Sequence, residues 1–431
     1  MARSPLTLAA AVSAAIPDAA AVTTAALSTG DGGRFDSALV GLDTGDRVVV
    51  RVPTDDQASA DQLAEALALR ALSPGARELL PFAVPHVRGE AQLPGARCMV
   101  MDFLPGYRVE AGDVPPGPGT AVELGAAIAA IHSLPVSVVR AEGLPMRTPE
   151  QVRRSVSLLI DRAGATRRLP VTLATRWRRA VEDDELWRFE SCVVLGDAGG
   201  GSFLFEDIDG APRVTGVLGW HRFGVGDPAT DLHWVAAAPQ AADDIHAAYA
   251  AASERPPDGN LRTRARLYAE LEFAQWLLHG HDEQRDDIVD DAVALLEALV
   301  DGLGPGARLD SADVSGVEDA MAVLDETPRV DSEGDTAGPS TSLQTDTYDP
   351  QMMSLFIAKE REHAAAAADD EADDSGAPSG QAGAADDPRP GEHAERESAQ
   401  DESAETTDDE AREAQRASRA AFQRWASSSS E

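Results

Sequence analysis

Lysine is almost missing from this chain of 431 residues: Lys359 stands alone among 37 basic side chains, the rest being arginine. No lysine is therefore available as a nucleophile or phosphate ligand in the first 358 residues. Cysteine is scarce too. Cys98 and Cys192 make no disulfide framework and have no metal-site spacing, which fits a reducing cytosol. No apolar run reaches the roughly 18 residues of a membrane span. Positive charge is in deficit, with 37 basic against 74 acidic side chains and a net charge of -37. That balance excludes a protein built to grip a nucleic-acid backbone or an anionic membrane surface. A cytoplasmic location is expected.

The acidity is unevenly spread. Residues 301–431 hold 32 acidic and 10 basic side chains, which leaves 42 and 27 for the first 300. Beyond Gly306 the chain is mostly Asp, Glu, Ala, Ser, Gly and Pro, too poor in large apolar groups to offset its ordering entropy. Residues 306–431 therefore read as an acidic disordered tail. Two helical segments stand out within it. Near 350–363, Met352, Met353, Leu355, Phe356 and Ile357 cluster. Near 408–426, Thr407 to Glu410 reads as a capping box, and Ala414, Ala417, Ala421 and Trp425 recur at helical spacing beside Phe422. Arg416, Arg419 and Arg424 lie toward the end of that segment, as suits a helix dipole. Apolar patches of this kind bind a protein partner, dock on their own domain, or are incidental.

Residues 6–16 are open to two readings, the first helix of a globular domain or the apolar part of a secretion signal. The minimal charge before them and Pro17-Asp18 after them favour the helix. From about Thr23 to Pro105 strand signals dominate, at 37–42, 47–52 and 98–103, with a helix at 59–72. From Thr120 helices dominate, at 120–133, 149–163, 170–182, 239–252, 260–280 and 284–302, around one β stretch at 192–217. The fold class is α+β: a small β-rich lobe over 1–105, a helical lobe over 106–305, and the tail.

The most informative run is Leu195-Gly196-Asp197-Ala198-Gly199-Gly200-Gly201-Ser202, entered from apolar Val193-Val194. A hairpin follows, then Gly219-Trp220, then Gly226-Asp227-Pro228-Ala229-Thr230-Asp231-Leu232. A carboxylate on a loop at a lobe boundary can accept a proton from a hydroxyl nucleophile. A Gly-Asp pair on its own marks only a turn. In this order the run resembles the catalytic loop of the aminoglycoside and macrolide phosphotransferases, a protein-kinase-like family related to choline kinases. Residues 47–53 followed by Glu65 are similar to that family's third strand and the helix after it. Residues 99–106 resemble its hinge, and Ala129 to Leu134, with His132, the end of its central helix. The resemblance covers about residues 5–305.

It implies a two-lobe protein-kinase-like fold and ATP- or GTP-dependent phosphorylation of a hydroxyl on a small molecule, with magnesium as cofactor. On that resemblance Asp197 is the catalytic base, Arg51 holds the phosphates with Glu65 orienting it, and Ser202 is a weak magnesium ligand. The turn carrying Gly30, Gly32 and Gly33 covers the phosphates. The residues themselves leave Arg51 open as a strand-edge arginine reaching solvent, and the glycine-rich turn as a plain hairpin. Asp227 and Asp231 read as braces for the loop, His221 as a surface or capping residue, and Trp177, Trp187, Trp234 and Trp276 as packing residues.

The departures from the family pattern point the other way. Leu195 stands where the family has His, Ser202 where it has Asn, and Gly219 where it has its metal-binding Asp. Glu206, Asp207 and Asp209 lie on the hairpin, whose tip kinase topology turns away from the phosphates. With Arg51 standing where the family has its phosphate-holding lysine, these departures make four changes in one site, which suggest a catalytically degraded, pseudokinase-type binding or scaffolding module, with the acidic tail supplying contacts to a protein partner. The alternative is an active phosphotransferase for a sugar-containing antibiotic or metabolite.

Overall fold

A computed structural model of the protein describes residues 3–27 and 33–303. The chain divides into two units, Met1–Asp349 with Ser418–Glu431, and Pro350–Ala417. The expected tail, with its segments near 350–363 and 408–426, lies outside the described residues, as do Gly30 and Gly32.

The first lobe is a five-stranded sheet in the order β1-β2-β3-β5-β4, with every neighbouring pair antiparallel. Its strands are β1 (Ala21–Ala26), β2 (Phe35–Leu42), β3 (Arg47–Pro53), β4 (Val87–Leu93) and β5 (Ala96–Asp102). Side chains alternate across the pleat. Ala38, Val40, Val48, Val50 and Val100 point to one face, where helix α1 (Pro5–Ala15) packs Leu8 and Val12 against them. Each of those larger aliphatic side chains contributes about 1.5–3 kcal/mol on full burial. Ser4 starts α1 by accepting from the Thr7 amide, and Pro5 takes the first helical position, where no N–H is missed. The apolar run at 6–16 is thus spent on covering the sheet. The opposite face carries Arg51, register-paired with Ser37 and Met99, and meets helix α2 (Asp56–Ala71), capped by Asp55. With both faces covered, all eight residues of β2 are buried.

Sequence pattern missed β1 and β4. Both are edge strands of modest hydropathy, and β4 alternates half-buried and exposed residues along its whole length. A short helix α3 (Pro74–Arg77) sits between α2 and β4. Beyond the hinge come α4 (Thr120–His132), α5 (Val136–Ala141), α6 (Pro149–Ala165) and α7 (Val171–Glu182). Then follow β6 (Cys192–Val194), β7 (Phe203–Ile208), β8 (Ala211–Val217) and β9 (Gly224–Gly226). Helices α8 (Ala242–Ala252), α9 (Leu261–Asp282) and α10 (Asp286–Asp301) complete the described residues. The helices at 149 and 171 begin within one residue of their expected starts. A capping box of Thr148 and Gln151, with Pro149 at the first helical position, explains the former.

Two cores fill this second lobe. One joins α4 and α8 to the β6–β9 region through Leu124, Ile128, Phe203, Phe205 and Trp220. The other joins α6, α7, α9 and α10 around Trp177, Phe273 and Leu296. Inside it the Glu270 carboxylate is fully buried, and Arg176 grips it through two nitrogens at 3.1 and 2.9 Å while the Trp177 indole donates at 2.8 Å. Trp187 and Trp234 are also buried, and Trp276 packs half-buried against the second core, as expected of packing residues.

Candidate functional site

The loop after β6 is placed from behind by one carboxylate. Asp231, in a short 3-10 turn over Pro228–Asp231, accepts the amides of Leu195 and Gly196, both at 2.7 Å. The His132 Nε2 lies 3.1 Å from the same group, and Tyr249 Oη lies 2.9 Å from its Nδ1. Burial disfavours the charge on His132, but Cys192, Asp231 and Tyr249 more than offset it and raise its pKa well above the usual value. Asp227 is equally committed. Arg264 reaches it at 2.8 and 3.1 Å, and the Tyr268 hydroxyl donates at 2.8 Å. Asp231 braces the loop, and Asp227, which accepts the Ala229 amide at 3.0 Å, caps the turn that carries Asp231. Gly196 sits at φ +88°, and a Cβ there would run into the Arg222 carbonyl, so a side chain at this corner is excluded twice over.

Asp197 is carried at the front of the loop, with 14 % of its side chain exposed. His221 Nε2 and Arg222 Nε each lie 3.6 Å from its Oδ2. Burial opposes ionisation of Asp197, but Arg222, His221 and His233 outweigh burial and hold its carboxyl well below the usual carboxylate range. His221 is not a surface residue: only 9 % of its side chain is exposed. Burial works against its charge, and Asp197 with Glu65 reverses that and raises its pKa. The turn over Trp220–Arg222 folds the ring inward, which no local sequence signal reveals. His233 and Glu272 form a further ion pair at 2.6 Å. Burial lowers the His233 pKa, and Glu272 above all raises it, for a net value of about 9. This pair joins residues on different elements, 39 positions apart, and no local pattern announces it.

Arg51 is not a solvent-seeking edge residue. Its Nη1 contacts Glu65 Oε2 at 2.8 Å, its guanidinium lies 4.1 Å from the Phe35 ring centroid, and only 5 % of the residue is exposed. Glu65 Oε1 also accepts the Trp220 amide at 3.3 Å, so α2, β3 and the segment after β8 share one carboxylate. β1 and β2 pair antiparallel, and the Gly33 carbonyl just before β2 accepts the Thr54 hydroxyl at 2.9 Å. Glu206, Asp207 and Asp209 lie at the outer end of the β7–β8 hairpin, where Tyr107 donates to Asp207 at 2.7 Å.

A divalent ion needs oxygen donors facing one point. Ser202 is buried, and its hydroxyl accepts the Gly199 amide at 3.2 Å. A Cβ on Gly219 would sit 3.8 Å from that hydroxyl, so a carboxylate at 219 would face Ser202 directly. Glycine, at φ +80°, supplies none. Among the described residues no three His, Cys, Asp or Glu side chains group as metal ligands. The donors present do not fit a magnesium ion held between two protein oxygens. What surrounds Asp197 instead is positive charge. A carboxylate so strongly acidified is a weak general base, though it can still accept a hydrogen bond from a hydroxyl and fix its direction.

Comparison with known proteins identifies the fold and the family. A viomycin phosphotransferase of Streptomyces vinaceus is 51 % identical over 49 residues, which span 11 % of this chain and 17 % of that protein's length. The structure of a macrolide 2'-phosphotransferase from Brachybacterium faecium superposes with a TM-score of 0.55 at 24 % identity, covering 71 % of this chain and all of the other. The GDP complex of an aminoglycoside 2'-phosphotransferase gives 0.56 at 18 % identity, covering 68 % of this chain and 98 % of the other. At these identities the superpositions establish the kinase-like fold. The model of the phosphotransferase enzyme family matches residues 29–268, more than half of the chain, and the chain belongs to that family.

Proposed function

We propose that this protein binds its ligand in the family's interlobe cleft while phosphoryl transfer is degraded, so that it works as a binding or scaffolding module. The observation that carries this reading is the pairing of Ser202 with Gly219, where a side chain would face the hydroxyl and there is none. Phosphoryl transfer is mostly positioning and charge stabilisation by metal and cations. With the second metal donor gone and Asp197 engaged by His221 and Arg222, both parts are weakened together. The ligand class is a nucleotide, with or without a hydroxyl-bearing antibiotic of the viomycin, macrolide or aminoglycoside kind that the relatives' names carry. The acidic tail is the natural surface for a protein partner.

A second reading, an active phosphotransferase using ATP or GTP, draws on the intact Arg51–Glu65 pair and the retention of Asp197. One experiment separates the two. The full chain is titrated with ATP and with GTP by calorimetry, with and without magnesium, and then assayed for transfer to viomycin, a macrolide and an aminoglycoside. Nucleotide binding indifferent to magnesium, with no transfer, supports the binding module. Magnesium-dependent binding with turnover that Asp197→Asn abolishes overturns it in favour of the enzyme.

A further inference from the structure

Between α2 and the sheet lies an opening whose lining includes none of Arg51, Glu65 and Asp197. A cavity of about 190 Å³ is lined on one side by Ser59, Gln62, Leu63 and Ala66, which recur at helical spacing on one face of α2. Pro53 and Met99 form its floor, and Glu90 and Arg97, an ion pair at 3.3 Å, stand at its rim on β4 and β5. Leu63 is 52 % exposed, an apolar side chain left on an open edge. Gln62 is the informative residue. It is only 5 % exposed, and its amide nitrogen donates to the Arg97 carbonyl at 2.9 Å, which fixes which way the amide points. The other atom, Oε1, is buried and has no hydrogen-bond partner among the described residues. Buried acceptors are nearly always paired. The cavity therefore asks for an apolar body carrying one N–H donor.

An indole has that chemistry: a flat apolar ring, one donor and no acceptor. Beyond residue 303 the chain runs for a further 128 residues and contains a single tryptophan, Trp425, in the segment with Arg419, Phe422 and Arg424. Each residue of extended chain reaches about 3.3 Å, so a tail of this length can reach any face of the lobes. Arg419 and Arg424 lie beside Trp425 in a tail that is otherwise acidic, and the Glu90 carboxylate at the rim suits them. We propose that the α2–β4 cavity is the docking site for the C-terminal segment of this same chain, with the Trp425 indole N–H donating to Gln62 Oε1. Gln62 and Glu65 lie within one turn of α2. An occupant of the cavity therefore braces the helix that holds Glu65 on Arg51 and on the Trp220 amide. The inference does not depend on whether the cleft transfers phosphate.

The test is amide hydrogen exchange on the full chain, comparing wild type with Trp425→Ala. Docking predicts that amides of α2 and β4 exchange about tenfold faster in the variant, whatever the protein concentration. A synthetic peptide of residues 414–431 added to the variant restores protection, and the same peptide with alanine at 425 does not. Leu63→Arg at the rim accelerates exchange in wild type and adds nothing to Trp425→Ala, because both remove one contact. Unchanged exchange in Trp425→Ala overturns the proposal. An acceleration that vanishes on dilution overturns it as well, since the tail would then be docking on a second copy.

Discussion

Asp231 and Asp197 stand on opposite sides of one loop, 34 residues apart in sequence, and their surroundings differ in kind. Asp231 is fully buried and uses its oxygens on two backbone amides and a histidine, all at hydrogen-bond distance. Asp197 is paired instead with cationic side chains, His221 and Arg222, each 3.6 Å from its Oδ2. One is a structural acceptor built into the fold. The other is a carboxylate whose charge is held by cationic side chains. The lesson is that the scaffold for a catalytic loop and the groups that make it react are separable. Here the fold matches the family, and a buried imidazole, His221, stands beside Asp197.

The comparison breaks if the two aspartates cost the same to remove. Asp231→Ala strands two amides and the His132 ring, and the expected loss is about 3–5 kcal/mol of unfolding free energy. Asp197→Asn keeps the side-chain shape and gives up its charge beside His221 and Arg222, and the expected loss is smaller, about 1.5–3 kcal/mol. Urea unfolding of both variants decides the matter, and equal losses would erase the distinction.

Smaller effects sharpen it. His233 has a folded pKa of about 9, above its ordinary value, so its pairing with Glu272 contributes stability that is complete below about pH 6.5. That contribution, on the order of 1–3 kcal/mol, is lost as pH rises through 9, because the unfolded chain has already released the proton. Glu272→Gln should flatten the stability profile between pH 6.5 and 9, and an unaltered slope would remove His233 from the site's charge balance. Gly219→Asp puts a carboxylate opposite Ser202. It should cost about 1–2 kcal/mol for the left-handed backbone, yet strengthen nucleotide binding in magnesium, on the order of tenfold, over binding without it. No magnesium response in that variant would mean that the missing donor is not what limits the site. The least change is expected from Tyr107→Phe, which removes a hydrogen bond to Asp207 at the exposed hairpin and should cost no more than about 1 kcal/mol with the loop undisturbed.

The lobes and most of their helices were legible in the sequence because amphipathic spacing and caps such as Thr148 to Gln151 are local signals. Arg51 with Glu65 could be paired from the family pattern, and Asp227 and Asp231 could be read as braces. What could not be read shares one cause. His221 turns inward because of a single 3-10 turn, His233 meets Glu272 on a helix begun nearly thirty residues later, and the edge strands β1 and β4 are too polar to announce themselves. Each depends on what lies across space, and periodicity along the chain carries no such information.

The Asp231 hub also sets the order in which the site can be assembled. It ties residues separated by 35, 36 and 99 positions in the chain. Loops of that length must close before any of the contacts form, and closure entropy makes such contacts slow. The loop bearing Asp197 thus takes shape only when α4 and the turn after β9 have already met. Its arrival is a readout of completed folding in the helical lobe: a probe that senses Asp197 should recover in the last kinetic phase after dilution from denaturant, behind the helices that hold it.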